Sequence, residues 1–165
     1  MARYKKTEMP CRRVAVRSGR GASVDSLTHN SATRVLVADD SDLNALLAER
    51  LLERIGCTTA RAQNGRTAVN LVETAGIVGL PFDITLLDIN MPLLDGYGAA
   101  QEIRRICTEN SLPIPFIIAV TANTRPEDRL RCRLTGMDGF LAKPFSKSQL
   151  SKMITSVARM GSLVC

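Results

Sequence analysis

The stretch LLDINMPLLDG (86–96) runs apolar residues into a carboxylate and then turns. Phe82, Ile84, Leu86 and Leu87 read as a strand that is apolar on both faces, and Asp88 closes it. A carboxylate at the end of a buried strand loses hydration and needs compensation. Met91-Pro92 then turns the chain, and Gly96 lets it enter a helix. Two readings of Asp88 stand at this point. It caps a neighbouring element, or other charges of the fold converge on it.

The same unit recurs on both sides of that stretch. RVLVA (34–38) is a short apolar run ending in Asp39-Asp40. A helix is expected over 42–55, with Leu43, Leu46, Leu47, Leu51 and Ile55 on its period, Ser41 or Asp42 as cap and Gly56 as stop. TTARA (58–62) is a weak strand. Asn64-Gly65 turns into a helix carrying Ala68, Val69, Leu71, Val72 and Ala75, closed by Gly76. FDITLLD (82–88) is the third strand. Tyr97 to about Glu109 is the next helix, with Tyr97, Ala100, Ile103 and Cys107 on one side. FIIAVT (116–121) is a fourth strand. Thr124-Arg-Pro-Glu127 reads as a capping box opening a helix that ends near Gly136. GFLA (139–142) is the fifth strand, followed by Lys143-Pro144. Ser146-Lys-Ser-Gln149 is a second capping box, before a last helix with Leu150, Met153, Ile154 and Val157 facing in.

Five strands thus alternate with five helices, and the first, third and fourth strands are apolar on both faces. That pattern predicts a parallel sheet covered by helices on both faces. In such a sheet ligands bind beyond the carboxyl ends of the strands. Asp39, Asp40, Asp88, Thr121 and Lys143 all follow strands at that edge. If the strands are neighbours, these side chains share one pocket.

Three carboxylates in one pocket repel one another, and a hard divalent cation relieves the repulsion. Mg²⁺ prefers oxygen ligands and keeps several waters or phosphate oxygens. With a lysine and a hydroxyl beside them, such carboxylates are equipped for phosphoryl transfer. The carboxylate itself can be the nucleophile, forming an aspartyl phosphate. Blander readings exist for each residue. Asp39-Asp40 can serve a helix N-terminus, although Ser41 and Asp42 already do so. Thr121 alone can be a strand-end hydroxyl satisfied by backbone, and Lys143 a surface lysine before a turn. Arg125, Arg129, Arg131 and Arg133 interleave with Glu127 and Asp128, which suits either a solvated face or a contact surface.

Taken in order, VADDSDLN, LLDINMPLLDG, AVTAN and GFLAKPF make the segment from about Arg34 to Ala158 resemble a response-regulator receiver domain, the CheY-like family. The resemblance implies a flavodoxin-like (βα)5 three-layer sandwich with a parallel five-stranded sheet in the order 2-1-3-4-5. It implies Asp88 as phospho-acceptor, with Lys143 and Thr121 completing the reacting set. It implies Mg²⁺ as cofactor, held by Asp39, Asp40, Asp88 and the main-chain carbonyl of Asn90. Thr121 and Phe140 would form the conformational switch, and Lys143-Pro144 would be cis. The switch position is often Tyr in the family, so Phe140 would act through packing alone. The resemblance also implies that Asn90 and Asn123 stand at positions which, in the family, tune how fast the acyl phosphate is lost.

On this reading the chain takes a phosphoryl group from a phosphohistidine on a histidine kinase or histidine phosphotransfer protein. It signals to a protein partner through the face of the fourth helix, fifth strand and last helix. We expect no DNA-binding output domain, since few residues follow the last helix start, and no enzymatic turnover of other substrates. A phosphorylation-dependent dimer stays open. The alternative origin is the C-terminal receiver of a hybrid histidine kinase. A haloacid-dehalogenase-type phosphatase also uses a strand-end Asp with Mg²⁺, but the acid two residues on is here Asn90. A phosphate-independent binding module is disfavoured by the intact polar set.

Composition bounds the rest. The 45 % apolar share supports a core, and with four Phe, two Tyr and no Trp that core is aliphatic. Five cysteines without a C-x-x-C, and the single His29, argue for reduced thiols rather than disulfides or zinc. Reduced thiols suit a cytoplasmic location, which is the one expected, and no apolar run approaches the length needed to span a bilayer. The net charge of +6 is uneven. Residues 1–33 hold seven Lys/Arg and two acids, whereas 34–165 hold fifteen and fourteen. The expected organisation is a basic, disordered tail over 1–33, a receiver domain over 34–159 and a short tail over 160–165.

Overall fold

The computed structural model describes residues 32–123 and 125–162. The expected basic tail lies outside the described residues except for its last two positions, and so do residues 163–165. Five strands and five helices alternate: β1 (Arg34–Ala38), α1 (Asp42–Glu53), β2 (Thr58–Ala62), α2 (Gly65–Ile77), β3 (Ile84–Asp88), α3 (Gly96–Glu109), β4 (Phe116–Thr121), α4 (Pro126–Leu134), β5 (Gly139–Ala142) and α5 (Lys147–Ser162). The strands form one parallel sheet in the order β2-β1-β3-β4-β5, as expected. Chain order and sheet order part between β2 and β3, which makes the carboxyl end of β1 and β3 the switch point.

Every residue of β3 is buried, because helices cover both of its faces. On one side Val35, Val37, Ile84, Leu86, Ile118 and Val120 pack with Ala45 and Leu52 of α1 and Leu150 and Ile154 of α5. On the other, Leu36, Leu87, Ile117 and Ala119 pack with Ala68 and Val72 of α2 and Ala100 and Ile103 of α3. The alternation of β3 side chains between the two cores is the period-2 geometry of a strand.

Helix ends follow local chemistry. Ser41, Asn64 and Asp95 each cap a helix through a side-chain oxygen. The box at α5 is reciprocal: the Ser146 amide donates to Gln149 Oε1 at 2.8 Å, and the Gln149 amide to Ser146 Oγ at 3.3 Å.

Four expectations need correction or fall outside what is described. The inward face of α1 is Ala45, Ala48 and Leu52, while Leu43, Leu46 and Leu47 are exposed. Two stripes at helical spacing overlap in this helix, and the small-residue stripe wins because it lets α1 lie close to β1. Leu51 and Ile55 do pack, partly buried. Helix α2 continues through Gly76 to Ile77, and Gly79, at φ +76°, follows its end. The N-cap of α4 is Arg125, without a side-chain cap bond; Thr124 lies outside the described residues. Helix α5 runs to Ser162, past the expected boundary at 159.

Candidate functional site

Strand β1 delivers Asp39 and Asp40 to the carboxyl edge of the sheet. The Asp39 amide donates to the Ala62 carbonyl of β2 at 3.1 Å, so Asp39 continues the pairing while Asp40 breaks away into solvent. Asp39 is buried, and its Oδ1 accepts from the Ser41 amide at 2.9 Å and from Asn44 Nδ2 at 3.4 Å. Asn44 escaped the sequence reading. Its spacing three residues after the capping Ser41 was the available signal, since that places it over the first turn of α1.

Strand β3 delivers Asp88, and the loop after it is anchored on both sides. Ile89 and Met91 are buried and Asn90 is exposed. This alternation turns Asn90 outward beside Asp88. The Gly96 amide donates to the Ile89 carbonyl at 2.9 Å and closes the loop onto the start of α3. A Cβ on Gly96 would overlap the Asp88 carbonyl oxygen and sit 2.9 Å from Ile89 Cα. The glycine is therefore required by close approach rather than by backbone conformation.

Strand β5 ends at Ala142, and Lys143 reaches back over the sheet edge. Its Nζ lies 2.6 Å from Asp39 Oδ2 and 3.0 Å from Asp88 Oδ2. The Lys143-Pro144 peptide is cis. Carboxylate oxygens of Asp39, Asp40 and Asp88 all lie within 4.8 Å of one another. The structure thus brings together four of the expected site side chains, drawn from β1, β3 and β5.

The electrostatics follow from that crowding. Burial pushes the Asp88 carboxyl above its usual range; the Lys143 hydrogen bond and charge oppose this, and Asp39 adds to it. Burial works against the Lys143 ammonium, but its bonds to Asp39 and Asp88 outweigh burial and raise its pKa. One ammonium against three carboxylates leaves the cluster short of positive charge. The donors are hard oxygens, and Asp40 is open to solvent. A small oxygen-seeking dication fits this set.

Thr121 ends β4 one residue beyond Val120, the partner of Asp88 in the sheet register. It is buried, and its Oγ1 accepts from the Asn123 amide at 3.1 Å rather than meeting Asp88. Its carbonyl accepts from the Lys143 amide at 2.8 Å, which ties β4 to the lysine. Phe140 on β5 is half-buried, with the Arg129 guanidinium 4.8 Å from its ring centroid.

Comparison with known proteins agrees with this geometry. The response regulator receiver domain family matches residues 35–155. The sensor histidine kinase GacS of Pseudomonas protegens is 34 % identical over 142 residues, covering 86 % of this chain. The first curated relatives are much longer, and the chain spans between 7 % and 15 % of their length. Among solved structures, the receiver domain of sensor histidine kinase PA1611 from Pseudomonas aeruginosa, with magnesium in its active-site cleft, superposes with TM-score 0.65 at 32 % identity, covering 76 % of this chain and 97 % of that one. The receiver domain of Ssk1 from Saccharomyces cerevisiae, solved with the phosphotransfer protein Ypd1, gives TM-score 0.71 at 27 % identity over 79 % of this chain and 91 % of that one.

Proposed function

The chain belongs to the response regulator receiver family of two-component phosphorelays, and on that footing we propose that Asp88 is its phospho-acceptor. The observation that carries the assignment is the position of Asp88, buried at a strand end yet within 3.0 Å of an ammonium and beside two further carboxylates. In the proposed step an Asp88 carboxylate oxygen attacks the phosphorus of a phosphohistidine. A P–O bond forms, the P–N bond breaks, and the imidazole leaves with the electron pair. Lys143, already at the carboxylate, pairs with the phosphoryl oxygens as charge moves onto them. Thr121 exchanges its bond from the Asn123 amide for donation to the phosphoryl group. Phe140, on the neighbouring strand two residues before Ala142, the register partner of Thr121, repacks as Thr121 moves.

Asp39, Asp40, Asp88 and the Asn90 carbonyl would hold Mg²⁺. When bound, the ion would neutralise charge on the phosphoryl oxygens. Asp39 is pinned by Ser41, Asn44 and Lys143, whereas Asp40 is exposed, so Asp40 is the more available direct ligand.

The donor on this reading is a histidine kinase or phosphotransfer protein, as the Ypd1–Ssk1 complex illustrates for a similar receiver. The output is a protein contact on the α4-β5-α5 face, without DNA binding and without turnover of other substrates. No described helix is long and apolar enough to cross a membrane, and we place the relay in the cytoplasm. A second reading makes the segment the receiver of a hybrid histidine kinase. The curated relatives favour it, since they are long sensor kinases.

The test is intact mass after incubation with acetyl phosphate or a phosphohistidine donor. One phosphoryl group should appear only with Mg²⁺, and Asp88→Asn should abolish it. Labelling that survives Asp88→Asn sinks the assignment. Steady phosphate release from many substrates would instead favour a phosphatase.

A further inference from the structure

A cavity of about 260 Å³ opens between α1 and the turn after β5, beside the acidic cluster. Leu47 and Ala48 of α1, Leu86 and Val120 of the sheet, and Pro144 and Phe145 of the turn give it apolar walls. Asp39, Asn44 and Lys143 also line it, which joins the cavity to the cluster. Leu47 is exposed, and so is Leu43, one turn before it on α1. The rim is short of positive charge. Lys143 supplies one ammonium against the carboxylates of Asp39, Asp40 and Asp88. Asp40 is exposed and makes no ion pair among the described residues. An apolar slot with a net-negative rim fits an occupant that sets apolar side chains between cations.

The chain itself contains that pattern. Residues 1–20 hold seven Lys/Arg and one acid, and CRRVAVRS (11–18) sets Val14, Ala15 and Val16 between Arg12-Arg13 and Arg17. This stretch lies outside the described residues. Its distance along the chain suits the site. Arg34 opens β1 at the amino edge of the sheet. The cavity stands at the carboxyl edge, about 17 Å away over the five residues of the strand. Sixteen residues, six of them Gly or Ser, join Arg17 to Arg34. A Gly/Ser-type linker of that length averages about 22 Å end to end. A linker whose average length matches the span gives the highest effective concentration, millimolar for short ones.

We propose that residues 12–17 dock in this cavity, with Val14 and Val16 toward the slot and the flanking arginines on Asp40 and its neighbours, and that the docked segment competes with Mg²⁺. The proposal rests on the reading of Asp39, Asp40 and Asp88 as metal ligands and adds regulation to that site. Arginine matches a carboxylate with two parallel hydrogen bonds. Guanidinium groups at Asp40 neutralise the charge that a dication would otherwise neutralise. Two cationic occupants of one acidic rim exclude each other, and each weakens the other by the same factor. Labelling of Asp88 then waits on metal displacing the segment. Nucleic acid as the target would account for the arginines, but it leaves the apolar cavity and the three apolar residues between the arginines without a role.

The experiment is amide-resolved NMR on the full chain carrying Cys165→Ser and a nitroxide on Cys11. Cys57, Cys107 and Cys132 are buried, which directs the label to Cys11. Without Mg²⁺ the label should broaden the amides of Asn44, Leu47 and Phe145 and spare Arg104 and Arg105 on the other side of the sheet. Arg12→Glu, Arg13→Glu and Arg17→Glu together should remove the broadening. They should also tighten Mg²⁺, read from the Ile89 amide shift, by about threefold or more. Arg3→Glu, Lys5→Glu and Lys6→Glu change the net charge equally and should do far less. Leu47→Ser, an exposed change on the cavity wall, should weaken the broadening. Saturating Mg²⁺ should relieve it in the parent. Broadening that is absent, spread evenly over the surface, or unmoved by the first triple reversal overturns the docking. Absence is also the result that a tail reserved for nucleic acid gives. Equal gains in Mg²⁺ affinity from the two triple reversals overturn the competition, as does broadening that persists once Mg²⁺ has bound. Broadening at the cavity with no Mg²⁺-dependent shift at Ile89 sinks only the metal reading. Mg²⁺ binding and phosphoryl labelling without broadening sink only this inference.

Discussion

The ammonium of Lys143 stands 3.0 Å from the carboxylate of Asp88, although β4 lies between the strands that carry them. The lysine crosses the sheet edge and also meets Asp39 of β1 at 2.6 Å. A single cation therefore holds together the ends of three strands.

Removing that cation should destabilise the protein most when metal is absent. Lys143→Met leaves Asp39 and Asp88 facing each other while both are largely buried. Breaking a buried pair costs ~3–5 kcal/mol. Since the lysine side chain keeps 18 % exposure, about 2 kcal/mol is the expected loss here. Urea melts in EDTA should show it, and Mg²⁺ should recover part of it. Equal stability of variant and parent in EDTA would contradict the charge account.

Gly96→Ala should damage both fold and chemistry. The added methyl meets the Asp88 carbonyl oxygen and Ile89 Cα, both backbone atoms that cannot swing aside. Overpacking of this kind costs about 1–3 kcal/mol. Displacing the Asp88 backbone should also slow labelling by acetyl phosphate. Gly56→Ala is the control, with φ at +86° and none of the described residues within 4 Å of a new Cβ. It should cost about 1–2 kcal/mol through backbone strain alone and leave labelling unchanged.

Thr85→Val should stabilise. Thr85 is fully buried in β3, and its hydroxyl has no hydrogen-bond partner among the described residues. An unsatisfied buried hydroxyl costs about 1–3 kcal/mol, and a methyl of similar size removes that cost. A gain of about 1 kcal/mol in denaturant melts is expected, with phosphoryl labelling unaffected. A loss of stability would show that the hydroxyl has a partner in solution.

Stability should fall on the alkaline side. Burial pushes the thiols of Cys57, Cys107 and Cys132 and the phenol of Tyr97 above their ordinary values. Lys143 is raised as well, its carboxylate bonds outweighing burial. Each group holds its proton more tightly folded than unfolded. Stability is therefore full below the unfolded values and declines as pH rises through the folded ones. The decline should begin near the ordinary thiol value, about pH 8.5, and steepen as the phenol and lysine titrate. Melts across this range under reducing conditions test it, and a flat profile would refute it.

Much of this molecule is written locally. Residues 34–38, 58–62, 116–121 and 139–142 were legible as strands because short β-branched and aliphatic runs stand between turn residues. The polar residues Asp39, Asp88 and Lys143 were legible because each interrupts an apolar run at its carboxyl end. The Ser146–Gln149 box was legible because both of its hydrogen bonds lie within four residues. Where local signals competed, the reading slipped. Helix α1 has a leucine stripe and an alanine stripe, and only the neighbouring sheet and α5 decide which is buried. Asn44 was overlooked because its partner Asp39 matters only once Asp39 is known to be buried.

The amino-acid sequence alone determined the alternation of elements, the parallel sheet and the polar residues at its carboxyl edge. These depend on hydrophobic period and turn chemistry, which act over a few residues. The sheet order adopted in advance came from a family resemblance rather than from those patterns. Tertiary structure alone decided that Lys143 reaches both Asp39 and Asp88 and that Arg129 covers Phe140. Such contacts join residues from different elements. They are selected by packing and by the electrostatics of burial, neither of which exists until the sheet has closed.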